Sequence, residues 1–323
     1  MKSAGKTHNS KPFAFNRRGA LLGLFGSVAA GASVFGLAPS VWARSFFRFP
    51  VSSADTFVRR ADFQLVNAAH SSTLPSPDWS KLEAGPRVEI TDVVDGDTVE
   101  LRRGPDVRLV GIQAPKLPLG RDHVVEWPLA RESKTYLQDV IGSAGRDAQL
   151  FFGGRERDRH GRYLAHIVME DGTWLQGAMI LAGLARVYTF SDNRSLIPDL
   201  LLREAVARQG QAFMWSHPDY AIRDARDPSS LLNRVNSFEL VEGVVRNVDA
   251  HRGRWYLNFG QTWREDFTIT IDRDADPMFE NANLDLHTLK GTAVRVRGWV
   301  SEDGGPLIRI DHPEAIERLT GAS

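Results

Sequence analysis

The 323 residues contain no cysteine. Disulfides and thiolate-held metals are therefore excluded, and the redox compartment stays undecided. Neither sign of charge is in excess, with 40 Lys and Arg against 40 Asp and Glu. The balance is uneven, however. Residues 1–43 hold five basic residues (Lys2, Lys6, Lys11, Arg17, Arg18) and no acid, which leaves 35 basic against 40 acidic residues in the rest, a net charge of −5. A chain of that charge is a poor general binder of polyanions. Contact with nucleic acid or another phosphate-bearing ligand must then come from a local patch. No internal repeat of short period is present. Residues 44–85, which include SSTLPSPDWS, show no sustained apolar periodicity and read as a linker.

What is present begins with an address. The apolar run Ala20–Gly36 follows the basic stretch and is close in length to a short membrane span. Asn16-Arg17-Arg18-Gly19-Ala20-Leu21-Leu22 resembles a twin-arginine export signal, and Val41-Trp42-Ala43 offers small residues for cleavage before Arg44. The expectation is a signal peptide over residues 1–43 and an exported protein, periplasmic or extracellular. The alternative is an uncleaved anchor, and only then is the membrane a partner.

Alternating patterns begin at Arg87. Arg87–Val93 and Asp97–Arg102 read as strands joined by the tight Asp95-Gly96 turn, and Val107–Ile112 as a third strand. Trp127–Ser143 carries the apolar stripe Leu129, Tyr136, Leu137 and Val140 of a helix. Ala148–Phe152 and Tyr163–Met169 are further strands. Thr173-Trp174-Leu175-Gln176 has the spacing of a capping box, opening a helix that stops near Gly183. Ser195–Trp215 reads as the last helix of this part. After a polar break at Asp224–Leu232, five strands follow: Phe238–Val248, Trp255–Phe259, Phe267–Ile271, Ala293–Val300 and Leu307–Asp311. The fold class is mainly β with α: a five-stranded OB-type barrel with three helices over 86–222, a linker at 223–235, and a second small OB-like barrel over 236–319.

Four stretches, VVDGDTVEL, VRLVGIQAP, DRHGRYLAHIV and DGTWLQGAMILAGLARVY, resemble the thermonuclease (staphylococcal-nuclease-like) family in order and spacing, over roughly Pro86–Tyr220. The resemblance implies an OB-type barrel and calcium-dependent phosphodiester hydrolysis, with acidic metal ligands, a glutamate general base and two phosphate-clamping arginines. Asp97 matches the first metal aspartate, and Asp95 is its partner in the same turn. Arg108 and Arg162 match the two arginines, and Asp158 the acid that holds the Arg162 loop. Two positions depart: Gln113 stands at the second metal aspartate and Lys116 at the general base.

These departures weaken the implied chemistry. Calcium takes six to eight hard oxygen ligands and is tuned by carboxylate count. Gln113 keeps an oxygen and loses a charge. A lysine about 4 Å from a cation opposes it by about 4 kcal/mol at an effective dielectric near 20. An ammonium cannot accept a proton near neutral pH, and general-base assistance is worth about 10²–10⁴-fold. Calcium is thus expected to bind weakly. The combination of Asp97, Arg108, Arg162, Lys116 and Gln113 favours holding phosphate over cleaving it. His160, or Glu126 or Glu132, is a candidate to restore a base.

Plainer readings stand beside these. Asp-Gly-Asp turns are usually hairpins, and Arg108 is also suited to a structural pair with Asp95 or Asp97. His166 reads as a packed or paired core residue. Tyr188 and Phe190 lie where the family stacks aromatics on a nucleotide, and core packing suits one of them equally well. Trp255, Trp263 and Trp299 either line an OB binding face or pack inside the second barrel. That barrel holds ten basic and fifteen acidic residues over 236–318, which favours an envelope protein as partner, or support of the first barrel, over nucleic acid.

Overall fold

The structure, a computed structural model, describes residues 74–121, 125–262 and 264–319, all within a compact unit spanning Ser52–Ser323. The expected signal, most of the expected 44–85 linker and Trp263 lie outside the described residues. No helix among the described residues is long and apolar enough to cross a membrane.

The first barrel is closed in the order β1-β2-β3-β6-β5. Its strands are β1 (Glu83–Asp95), β2 (Thr98–Leu101), β3 (Val107–Leu109), β5 (Asp147–Phe152) and β6 (Tyr163–Met169). The thirteen residues of β1 serve two neighbours, with Glu83–Glu89 paired to β5 and Ile90–Asp95 to β2. Register shifts at Ala84/Arg87, Ile90/Asp92 and Val93/Asp95 give β1 the curvature that closure requires. Ile90, Val99, Val107, Leu109, Leu150, Ala165 and Ile167 turn inward and are fully buried. β3 and β6 run parallel, and α1 (Ala130–Ala144) covers the barrel with Leu137 and Ile141. A two-residue ladder of β4 (Ile112–Gln113) with β7 (Arg186–Val187) stands outside it.

The three expected helices are present with different ends. α1 starts after Leu129, whose left-handed φ of 67° breaks the run begun at Trp127. α2 (Leu175–Leu181) has no side-chain cap. The Gln176 amide is drawn inside instead, accepting from Ile167 N–H at 3.1 Å and donating to Ala165 O at 2.8 Å. It satisfies strand groups that would otherwise be unpaired, which outweighs a cap. α3 (Ile197–Gln209) stops at Gly210, six residues earlier than its apolar pattern suggests, and a 3-10 turn at Phe213–Ser216 follows.

The second sheet runs β10-β11-β12-β14-β13-β9-β8. Its strands are β8 (Arg223–Asp224), β9 (Phe238–Val244), β10 (Asn247–His251), β11 (Arg254–Asn258), β12 (Thr268–Asp272), β13 (Ala293–Asp303) and β14 (Gly305–Ile310), with β15 (Ile316–Arg318) beside β13. β9 and β10 are the two halves of one bent strand. At the bend, Val245 N–H reaches Thr292 O at 3.0 Å and Arg246 N–H reaches Asn258 O at 2.8 Å. The sheet therefore repeats the first barrel's circuit, including a parallel pair, β12 with β14. Residues 223–235, expected as a linker, carry β8 and the short helix α4 (Pro228–Leu232). β8 pairs with β9, and α4 packs on β13 and β14, so this segment is part of the second sheet.

The two barrels share a seam. Ala207, Ala212 and Trp215 of the first pack with Phe238 and Leu240 of the second. At its centre Arg297 of β13 is 2 % exposed; its Nη2 lies 2.9 Å from Glu204 Oε2 and 2.5 Å from Glu317 Oε1, and its Nη1 donates to Val187 O at 3.1 Å.

Candidate active site

The Asp95-Gly96-Asp97 turn joins β1 to β2, and burial makes it more than a hairpin. A Cβ at Gly96 would stand 1.9 Å from Ser133 Oγ and 2.7 Å from Ala114 Cβ, so α1 and the segment after β4 press on the turn. Asp97 has no exposed surface, and Asp95 is 5 % exposed. Buried carboxylates need partners, and every Asp97 oxygen has them. Lys116 Nζ lies 2.6 Å from both Oδ1 and Oδ2. Arg108 Nη1 donates to Oδ1 at 2.9 Å, and Ala114 N–H donates to Oδ2 at 2.8 Å. Thr98 Oγ1 adds a bond to Oδ1 at 3.2 Å. Asp95 accepts Asp97 N–H on Oδ1 at 3.1 Å and Lys116 on Oδ2 at 3.1 Å.

Two carboxylates thus face one ammonium and one guanidinium. Burial alone would raise the Asp97 carboxyl, but the charges of Lys116 and Arg108 outweigh it and hold the group well below the usual carboxylate range. Asp95 moves the other way, raised by burial and by the Asp97 charge beside it.

Gln113 is turned from this cluster. Its Oε1 accepts Arg186 Nε at 3.1 Å and Nη2 at 2.8 Å, which occupies both lone pairs. Arg186 is itself buried, pushed down to about 10 by burial, and its guanidinium lies 4.7 Å from the Phe238 ring of the second barrel.

Sequence spacing brings Asp95, Asp97, Arg108 and Lys116 together, and the structure joins all four. It does not join the rest. Arg162 is bonded to Asp158, with Nε to Oδ2 at 2.8 Å, and the Arg162 and His160 backbone N–H groups also donate to Asp158. These bonds outweigh burial and lower the Asp158 carboxyl. His160 is exposed, and its Nε2 accepts from Arg159 at 3.1 Å. Glu126 is tied to Arg131 at 2.8 Å, and Glu132 is exposed on the first turn of α1. The candidate replacement bases are thus not partners of the Asp97 cluster. Tyr188 is half-buried at the seam, with Phe238 at 4.8 Å and the Trp299 indole donating to its hydroxyl at 2.9 Å. Trp255 is buried, with Nε1 on Asp276 Oδ1 at 2.7 Å. His166 packs 5.5 Å from the Trp174 ring, and burial takes it down to about 3.

The donor set does not fit calcium as it stands. The Asp97 and Gln113 oxygens are all spoken for by protein donors, and a cation at Asp97 would meet the Lys116 ammonium. Among the described residues no three His, Asp or Glu side chains are grouped to hold a metal. Sequence reasoning missed Arg186 and Glu204, both buried charges. Their only signal was the placing of a charge on an otherwise apolar face.

Residues 106–217 match the family described as staphylococcal nuclease homologue. A protein of Escherichia coli O157:H7 described as an uncharacterized endonuclease is 30% identical over 144 residues, 44% of this chain and 84% of that protein. An E. coli protein of the same description matches equally. An uncharacterized protein of Bacillus anthracis is 24% identical over 133 residues, 40% of this chain and 60% of its own length.

Proposed function

The chain belongs to the staphylococcal nuclease homologue family, and from that premise we propose that it is an exported nuclease-type protein whose calcium-dependent phosphodiester hydrolysis is weakened by a counter-ion of its own. The observation that carries this reading is the Lys116 ammonium 2.6 Å from both oxygens of Asp97. A divalent cation has to evict that ammonium before it reaches its first ligand. Gln113 offers no replacement while Arg186 holds its oxygen. The base position is filled by a cation, so water activation falls to solvent or to a group recruited with substrate. Residues 1–43 support export, with membrane attachment if that segment is retained.

A second reading is a catalytically silent protein that binds phosphate-bearing ligands or an envelope protein. The exposed Arg155, Arg157 and Arg159 in the loop before Arg162 favour it, since arginines outnumber the acids Glu156 and Asp158 there, although Arg155 also pairs with Asp192.

The test is cleavage of single-stranded DNA with calcium, magnesium or manganese. The wild-type chain should cut slowly, and Lys116→Glu combined with Gln113→Asp should raise the calcium-dependent rate by about 10²-fold or more. A folded double variant with no gain would sink the weakened-enzyme reading. No cutting by any form, with oligonucleotide retention that needs Arg108 and Arg162, would establish the silent one.

A further inference from the structure

Trp299 on β13 is 46 % exposed, and Phe190, just after β7, is 47 % exposed. Large aromatic surface left in water invites a partner. Both rings rest on Tyr188, Phe190 edge-on at 4.7 Å and Trp299 edge-on at 6.5 Å between centroids. Trp299 is not a loose side chain. Its Nε1 donates to the Tyr188 hydroxyl at 2.9 Å, and its ring lies 6.2 Å from that of buried Phe238. The outward indole face is therefore held in one orientation before any ligand arrives, which removes part of the ordering cost of binding.

The surroundings narrow the ligand. Asn193 Nδ2 donates to Arg155 O at 2.8 Å, and Arg155 N–H donates to Asp192 O at 3.0 Å, so the Phe190 loop is stitched to the basic loop. Arg155 thus adjoins the ring-bearing loop, where it pairs with Asp192 at 3.8 Å, and the exposed Arg157 and Arg159 follow it along the basic loop. Guanidinium groups follow a phosphate backbone, while rings take bases of any sequence. The rest of the second barrel, with fifteen acidic and ten basic residues, repels a polyanion.

We propose that Trp299, oriented by Tyr188 and continued by Phe190, is a stacking platform for the bases of single-stranded nucleic acid. The second barrel thereby shares in binding along the first barrel's basic loop. The proposal rests on the nucleic-acid reading above and adds a binding residue from outside the family-matched segment.

The experiment compares a labelled single-stranded 12-mer with an abasic oligomer of equal length, by fluorescence anisotropy on the exported chain. Trp299→Ala should weaken binding of the base-bearing strand roughly 5- to 150-fold and leave abasic binding unchanged, with a small drop in thermal midpoint from the lost bond to Tyr188. Trp299→Phe should keep most of the affinity. Equal affinity of wild type and Trp299→Ala for the base-bearing strand would overturn the proposal, as would equal wild-type affinity for the two oligomers; in both cases nucleic-acid binding itself would survive. Failure of the wild type to bind either oligomer would remove both readings. Self-association in sedimentation velocity, lost in Trp299→Ala without effect on oligomer binding, would assign the rings to a second copy of the chain instead.

Discussion

In both barrels the first strand is long and bent, the third and fifth run parallel, and a helix lies between the third and fourth, α1 in one and α5 (Asp276–Asn281) in the other. The first hairpins nevertheless differ. The turn at Asp95-Gly96-Asp97 is covered by Ser133 and Ala114, and its carboxylates are buried. The turn at Arg252-Gly253 has positive φ at both residues (49° and 77°) and nothing within 4 Å of a Cβ at Gly253. That is a two-residue hairpin facing water. Asp272, opposite Arg254 in the ladder at that end, pairs with it at 2.8 Å and keeps 31% of its side chain exposed. Topology alone therefore makes no site. Cover does, because it lowers the local dielectric until the choice of counter-ion is decisive.

The comparison can be broken at the seam. Arg297→Ala leaves Glu204, a carboxylate with no exposed surface, with only Arg208 and the Val187 N–H as partners. Removing one partner of such a pair costs about 3–5 kcal/mol. Urea unfolding should show that loss, and Glu204→Gln in the same chain should recover part of it. A change below about 1 kcal/mol would mean the barrels are energetically independent.

Acid sharpens the contrast next. His166 of the first barrel is held neutral, with its folded value near 3. The folded value is depressed, so the unfolded chain takes the proton first. Stability should fall as pH drops below about 6.5 and level off near pH 3, by a few kcal/mol in all. Asp97, also depressed, adds a loss below the ordinary carboxylate value of about 4. Thermal midpoints of His166→Phe across this range should show a shallower slope above pH 4. A slope equal to wild type would assign the acid loss elsewhere.

The smallest effects compare the turns directly. Gly96→Ala meets Ser133 and Ala114 and should cost about 1–3 kcal/mol. Gly253→Ala meets nothing and should cost about 1 kcal/mol, from its backbone conformation alone. Chemical denaturation of the two single variants measures both. Equal costs would mean the cover on the first turn is loose.

Much of this was legible in the sequence where the governing interactions are local or periodic. Strands with an inward apolar row, the Asp-Gly turns and the Asp158–Arg162 pair four residues apart all announce themselves. The departures at Gln113 and Lys116 announced an altered site, but the bond from Arg186 to Gln113 spans 73 residues and that from Arg297 to Glu204 spans 93. The helix pattern sets Glu204 on the same stripe as Ile197, Leu200 and Ala207 but cannot name its Arg297 partner, which lies on another sheet. Tyr188 was open between stacking and packing because it touches both sides of a seam that no single barrel's pattern reveals.

The Arg297–Glu204 bond has a consequence for synthesis. At roughly 5–20 residues per second, ribosomal elongation leaves Glu204 of α3 with Arg208 as its one guanidinium partner for about 5–20 s, the time to add the 93 intervening residues. During that delay Glu204 is held only by Arg208 of its own helix and by the Val187 N–H, without the second guanidinium. Its final packing waits for the second sheet, so the later half of the message sets when the earlier half is finished.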